Sequence, residues 1–216
     1  VKPLRILITA GPTIEPIDPV RFISNYSTGH MGYELARIAA KRNHIVRLVS
    51  GPVSIKEPAG IKIIHVRTAR ELQNKILKHL KESDVLLMAS AVSDFRPKYF
   101  SAKKIKSNRS LFLKLAKNDD ILKSIRQKER KNKVLVGFAL ETGDLIKNAA
   151  KKLKEKRLDL VAANKISRRN TPFGPGRKDM YILDKYGIRK RLRKTTKTAI
   201  ASAILDTVEE LCYTSA

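Results

Sequence analysis

Residues 5–32 read RILITAGPTIEPIDPVRFISNYSTGHMG. The opening RILIT, 5–9, is a short apolar run of the kind that forms a strand buried on both faces. Residues 31–42 (MGYELARIAAKR) follow a helical period, with Tyr33, Leu35, Ile38 and Ala39 available to pack. Between them lies a connection, 10–29, stiffened by Pro12, Pro16 and Pro19. Strand, long loop and helix in that order begin a layered α/β domain. Gly and small hydroxyl residues running into a helix start suit a phosphate, because backbone N–H groups point outward there and the helix dipole favours anions. The same residues also make a plain Gly-rich turn with Ser27 or Thr28 as N-cap. Neither GxxxxGK[ST] nor GxGxxG is present.

Outward from this stretch the alternation continues. Residues 45–50, 61–66, 84–90, 134–140 and 158–163 are apolar runs of strand length. Thr-Ala-Arg-Glu at 68–71 is a capping-box pattern opening a helix with Leu72, Ile76, Leu77 and Leu80 on one stripe. Residues 144–156 and 198–211 are further helices, and 180–183 with 188–192 read as a closing hairpin around Asp-Lys-Tyr-Gly. The pattern predicts an α/β fold: a Rossmann-like three-layer sandwich with a mostly parallel central sheet and a C-terminal antiparallel hairpin. With no internal repeat, one domain over 1–216 is expected. The connections 10–29, 91–110 and 164–179 are long enough to suggest function. The first two leave the carboxyl ends of strands, where such sheets open their ligand crevice.

Several side chains in these connections carry chemistry. Arg21 can pair bidentately with a phosphate or carboxylate, and Asn25 can contact an acyl or phosphoryl oxygen without adding negative charge; either can equally brace the loop. Residues 91–98 (AVSDFRPK) followed by KKIK at 103–106 suit a nucleotide pocket with a basic flap, or a solvated basic loop. Residues 118–122 (NDDIL) cap a helix, and GFALET at 137–142 ends a strand. Ala149, Lys152 and Lys156 share a helix face by spacing, which can gather phosphate oxygens or simply face solvent. Phe138 can stack on a base or serve the core. The four histidines show no ligand spacing, and Cys212 reads as a small packing residue.

Composition sets the limits. The 216 residues hold 46 Lys+Arg against 20 Asp+Glu, a formal charge of +26. Such an excess raises nucleic-acid or anionic-membrane binding. Yet Trp is absent and aromatics are only 6%, so stacking platforms are scarce. A hydrophobic content of 42% argues against disorder. No apolar run reaches a bilayer's span and the N-terminal VKPLRILIT lacks a secretory pattern, so a cytoplasmic protein without membrane or specific nucleic-acid partners is expected. One cysteine excludes an internal disulfide. An NAD(P)-dependent Rossmann oxidoreductase is the alternative enzyme class, weakened by the missing GxGxxG; a basic nucleic-acid-binding protein is the other alternative.

Taken jointly, ITAGPT at 8–13, EPIDPVRFISN at 15–25, STGHMG at 27–32, AVSDFRP at 91–97, KIK at 104–106, KNDDIL at 117–122 and VGFALET at 136–142 resemble the phosphopantothenoylcysteine synthetase family. The likeness covers essentially the whole chain and is to the bacterial, CTP-dependent form, often fused to a flavin-dependent phosphopantothenoylcysteine decarboxylase. It implies a ligase of coenzyme A biosynthesis joining 4′-phosphopantothenate to L-cysteine through an acyl cytidylate, releasing pyrophosphate and CMP. It also implies Mg²⁺ held mostly by substrate oxygens and water, and a homodimer. By the family pattern Asn25 would contact the acyl cytidylate with Arg21 in support, Ala91 would lie at the acyl-transfer position, and Lys104 would close from the flap. Asp94 and Phe138 would hold the nucleoside. Lys152, Lys156 and the backbone of Asp120, Ile121 and Leu122 would meet the triphosphate, with Gly11, Ser27, Gly29, Ala89, Ser90 and Asp119 completing the nucleotide site. Three positions depart: His30 and Ser107 stand where the family commonly has Lys, and Asp119 where it has Pro. The run 185–197 (KYGIRKRLRKTTK) has no role in this scheme and reads as a solvated surplus of charge.

Overall fold

The computed structural model describes residues 2–106, 110–128, 132–166 and 176–214; Ser107 and residues 167–175 of the third connection lie outside them. In chain order the elements are β1 (Arg5–Ala10), β2 (Ile14–Pro16), β3 (Phe22–Ser24), α1 (His30–Lys41), β4 (Ile45–Ser50), β5 (Lys62–His65), α2 (Ala69–Leu80) and β6 (Val85–Met88). There follow β7 (Phe95–Pro97), β8 (Leu115–Lys117), α3 (Ile121–Lys128), β9 (Val134–Glu141), α4 (Leu145–Glu155), β10 (Leu160–Lys165), β11 (Lys178–Asp184), β12 (Gly187–Thr195) and α5 (Lys197–Thr214).

The main sheet runs β12-β11-β10-β9-β6-β1-β4-β5. Neighbours from β5 to β10 pair parallel, and β11 and β12 add antiparallel at one side. The expected mostly parallel sandwich with a C-terminal hairpin is therefore what the chain builds. Strand order reverses at β1, whose Ile8 sits between Leu48 of β4 and Leu87 of β6. Alternation along each strand feeds two cores. Ile6, Ile8, Val85, Leu87 and Leu160 pack with Tyr33 and Leu35 of α1 and Ile200 and Ile204 of α5. Leu7, Leu86, Leu135 and Val161 pack with Leu72 and Ile76 of α2, Ile125 of α3 and Leu153 of α4.

The local signals mostly hold. The Thr68 half of the capping box forms, Thr68 Oγ1 accepting from Glu71 N at 3.1 Å, while the Glu71 carboxylate reaches one residue further back and accepts from Arg67 N at 2.8 Å. The expected Ser27 or Thr28 cap on α1 does not form. The cap residue is Gly29, left-handed at φ 76°, and no side chain caps the helix. Gly32 in the first turn of α1 is forced by packing, since a Cβ there would lie 2.7 Å from the Thr9 carbonyl oxygen. The first two long connections are not plain loops. The first carries the hairpin β2–β3, and the second supplies β7, which pairs with β8 beyond its end; these three-residue strands are too short to show a period. Among the described residues, no helix is long and apolar enough to cross a membrane.

Candidate functional site

At the reversal point the two connections that leave β1 and β6 meet. Ala91 N donates to the Gly11 carbonyl at 2.9 Å, and Thr13 N donates to the Ala91 carbonyl at 3.2 Å. Ser90 is fixed from both ends: its N donates to Thr9 Oγ1 at 3.1 Å and its hydroxyl to the Ala10 carbonyl at 3.2 Å. This joint forms the floor of a cavity of about 690 Å³ at the carboxyl ends of the parallel strands, the position where open α/β sheets bind ligands. Its walls come from the start of α1, the β6–β7 connection, the β8–α3 turn, β9, α4, and the starts of β11 and α5.

One wall is cationic. Lys152 and Lys156 both line the cavity, while Ala149 on the same face is buried against the core. The Lys152 ammonium donates to the Phe138 carbonyl. Burial, and then Lys156, push the Lys152 ammonium below the ordinary lysine value, against the pull of Glu141, Asp120 and Asp94. Lys156 pairs with Asp120 at 3.0 Å. Asp120 is the cap of α3, accepting from Lys123 N at 3.1 Å. Burial alone would raise its carboxyl, but that N–H and the Lys156 ammonium outweigh burial and hold it below the usual carboxylate range. Opposite charges and a helix start are thus locked together beside the void.

Across the first connection, Asn25 lines the cavity and its Nδ2 donates to the Val92 carbonyl at 2.9 Å. Ser27 and Gly29 line it too, Gly29 N donating to Ser27 Oγ at 3.3 Å. Ala89, Ser90, Ala91, Asp94, Asp119, Asp120, Ile121, Leu122 and Phe138 complete the group of expected residues brought to this one space.

Three expected residues stand apart. Gly11 lies beneath the lining, left-handed at φ 74° under Gly29. Arg21 is a brace outside the wall: it pairs with buried Asp18 at 3.2 Å and donates to the Ile105 carbonyl at 2.9 Å. Asp18 in turn accepts from Ile105 N at 3.1 Å. Lys104, beside Ile105, is exposed and does not line the cavity; the basic segment is strapped to the β2–β3 hairpin.

Conversely, Lys178 and Lys197 line the cavity, as does His30. Lys197 corrects the reading of 185–197 as wholly solvated: its last lysine faces the site. Its signal in the sequence was a lysine at a helix start, the unfavourable end of the dipole for a cation. Lys178 had none in so lysine-rich a chain. The His30 imidazole is held below the ordinary histidine value, by burial first, then by Lys197, with Glu34 pulling the other way and Arg37 adding to the depression. It is mostly neutral at pH 7 and does not replace the charge of a lysine at that position. Among the described residues no three His, Cys, Asp or Glu side chains gather to hold a metal ion. Of the carboxylates at the cavity, Asp120 is already engaged by Lys156.

Comparison with known proteins places the chain in a family. A protein called cysteine/cysteine sulfinic acid decarboxylase, from an unknown prokaryotic organism, is 41% identical over 217 residues, covering 98% of this chain and 60% of that protein. The coenzyme A biosynthesis bifunctional protein CoaBC of Borreliella burgdorferi is 39% identical over 208 residues, covering 95% of this chain and 52% of the relative. The chain thus spans between half and three-fifths of these relatives. The crystal structure of the C-terminal domain of a CoaBC protein superposes with a TM-score of 0.83 at 33% identity, covering 98% of this chain and 96% of that one. The family of the DNA/pantothenate metabolism flavoprotein C-terminal domain matches residues 1–212. With its fold and nearly all its length matched, the chain belongs to that family.

Proposed function

We propose that residues 1–216 form one phosphopantothenate–cysteine ligase domain that joins 4′-phosphopantothenate to L-cysteine at the expense of CTP. The observation that carries the reading is the convergence of Lys152, Lys156, the Asp120-capped start of α3 and Asn25 on one cavity. The similarity to CoaBC proteins of coenzyme A biosynthesis supports it.

In the first half-reaction a carboxylate oxygen of 4′-phosphopantothenate attacks the α-phosphorus of CTP. A new O–P bond forms, the α–β bridging bond breaks, and pyrophosphate leaves. In the second, the amine of cysteine attacks the acyl carbon, a C–N bond forms, the C–O bond to CMP breaks, and the amine gives up a proton to solvent. Both steps need positioning and charge neutralisation rather than a protein nucleophile. Lys152 and Lys156 offset phosphate charge; the lowered proton affinity of Lys152 belongs to an ammonium that a phosphate would re-stabilise. Phe138 and Asp94 border the nucleoside, and Asn25 Nδ2 exchanges its bond to Val92 for an oxygen of the acyl cytidylate. Mg²⁺ would travel on the triphosphate, coordinated chiefly by phosphate oxygens and water, and would lower the charge at the phosphates.

A second copy of the chain is the partner we propose for the exposed apolar side chains of the two hairpins, among them Phe22, Phe95, Phe112 and Leu115. A flavin-dependent decarboxylase remains the proposed fusion or working partner. The ligase test is pyrophosphate release with protein, CTP, Mg²⁺, 4′-phosphopantothenate and cysteine, with ATP substituted in a parallel arm. No release above the enzyme-free control from folded protein refutes the ligase; equal rates with ATP refute the nucleotide choice. Asn25→Asp should slow amide formation more than nucleotide binding, because a carboxylate cannot donate to Val92 or to the intermediate.

A further inference from the structure

Asn118 lies between the end of β8 and Asp120, the cap of α3, and lines the cavity. The β7–β8 ladder pairs Phe95 with Lys117. Asn118 therefore falls opposite Asp94, and its N donates to the Asp94 carbonyl at 2.8 Å. Here the chain turns away toward α3, and the side chain adds one more rung: Asn118 Nδ2 donates to the Ser93 carbonyl at 2.8 Å. The other end of the carboxamide is held as well. Arg96 Nη1 donates to Asn118 Oδ1 at 2.9 Å and to the Lys117 carbonyl at 2.6 Å. A guanidinium has donors only, so it fixes the amide oxygen on its own side and leaves the NH₂ for Ser93.

Ser93 is the junction these bonds hold. It is only 2% exposed, and its N donates to Thr13 Oγ1 at 2.9 Å. Its own hydroxyl has no hydrogen-bond partner among the described residues, so the bonds of its main chain to Thr13 and Asn118 keep it in place. One residue before it, the Val92 carbonyl accepts from Asn25 Nδ2. Two residues beyond Asn118, Asp120 pairs with Lys156. A short path thus runs Asn25–Val92–Ser93–Asn118–Asp120–Lys156, from the side proposed for the acyl group to the cationic wall. The Asn118 carboxamide is where that path crosses from one chain segment to the other. Transfer between two bound substrates depends on the register of the two sides. A shift of about 1 Å can cost about a hundredfold in rate while each substrate keeps its own contacts.

We propose that Asn118 is a positioning residue of this cavity: its carboxamide ties Ser93 to the start of α3 and sets the separation between the Asn25 side and the Lys152–Lys156 wall. The consequence rests on the ligase reading: Asn118 aligns the carboxylate of 4′-phosphopantothenate on the α-phosphorus of CTP.

The experiment compares the parent with Asn118→Leu, which removes both ends of the carboxamide at similar volume without adding charge. Arg96→Met, at an exposed position, keeps Asn118 but releases its orientation. The control is Gln73→Ala, which cuts the bond from Gln73 Nε2 to Ser124 Oγ at 3.2 Å, a contact of α3 that does not line the cavity. Circular dichroism establishes folding, calorimetry gives the binding of CTP and of 4′-phosphopantothenate without turnover, and pyrophosphate release gives kcat. Asn118→Leu should lower kcat about tenfold to a hundredfold while both affinities stay within about threefold of the parent. Arg96→Met should show the same split at smaller size, and covers the case in which Asn118→Leu does not fold. Gln73→Ala should stay within about twofold of the parent in all three measurements. Hydrogen exchange supplies a readout without turnover: slowing on CTP binding should extend from the start of α3 to residues 91–94 in the parent and stop short of them in Asn118→Leu. A folded Asn118→Leu protein with the parent's kcat overturns the proposal. So does a loss confined to CTP affinity, which makes Asn118 a direct contact of the nucleotide. A parent that binds CTP but releases no pyrophosphate refutes the ligase; the exchange pattern then decides the link, and slowing that still reaches 91–94 in Asn118→Leu overturns it. A parent that binds no CTP overturns both.

Discussion

Replacing Gly32 by Ala tests how closely α1 is pressed onto β1. A Cβ at this position would lie 2.5 Å from the Ala10 Cβ, 2.7 Å from the Thr9 carbonyl oxygen and 3.0 Å from the Ala10 Cα. Comfortable carbon contacts are about 3.5–4.0 Å, so the helix must withdraw by roughly 1 Å. These neighbours are backbone and the short side chain of a central strand, which cannot turn aside. Overpacking of this kind costs about 1–3 kcal/mol. Alanine regains about 1 kcal/mol of helix propensity, leaving a net loss of up to about 2 kcal/mol. For a chain of this length that corresponds to a drop in melting temperature of up to about 8 °C. Gly143→Ala is the control, since nothing lies within 4 Å of its Cβ position and its backbone is not left-handed. It should be neutral or stabilising by up to about 1 kcal/mol. Adding Ala10→Gly to Gly32→Ala removes the Cβ–Cβ contact but not the one to Thr9, so recovery should be partial. Thermal and urea unfolding followed by circular dichroism read all four proteins. A Gly32→Ala protein as stable as Gly143→Ala would refute the close-contact argument.

Arg21→Met should free the basic segment 103–106, because it removes the bond to the Ile105 carbonyl; faster hydrogen exchange and trypsin cleavage there are expected, and unchanged protection counts against the brace. Asp120 has its proton affinity lowered in the fold, so its contribution is present above the unfolded carboxylate pKa of about 3.9 and is lost as pH falls through the depressed folded value. Asp120→Asn should accordingly flatten the acid limb of the urea midpoint measured below about pH 4 while leaving its pH dependence between 5 and 8 unaltered; an unchanged acid limb rejects the assignment. The Cys212 thiol is pushed up to about 11, by burial first and then by the carboxylates of Asp84, Asp159 and Glu209. At pH 8 the native protein should resist iodoacetamide that labels the urea-unfolded chain within minutes, and equal labelling rates would contradict that environment.

The parallel strands were readable because burial on both faces leaves uninterrupted apolar runs, as in RILIT and in VLLM of β6. Helix α2 was readable because its cap chemistry and its stripe agree. The hairpins β2–β3 and β7–β8 were not, since strands of three residues display neither alternation nor a turn signature. In the site, the residues next to the reversal point could be named from the loops leaving β1 and β6. Their roles could not all be separated: Arg21 carries the same guanidinium whether it meets a phosphate or, as found, holds Asp18 and the Ile105 carbonyl. Lys178 and Lys197 escaped because contribution to a cavity depends on how the antiparallel extension folds back, a long-range fact that no local pattern encodes.

That extension also determines how copies of the molecule meet along the sheet. β12 is its outermost strand, and an outermost strand offers unpaired N–H and C=O groups to any passing chain. Here it carries Arg189, Lys190, Arg191, Arg193 and Lys194 within nine residues. Arg189 and Lys190 lean onto Asp184, Asp206 and Glu210, and Arg191 lies over the Tyr181 ring. A second molecule approaching edge to edge would bring an identical row of cations against this one. Part of the +26 that first pointed toward polyanions thus works as mutual repulsion, keeping an eight-stranded sheet from growing into a longer one.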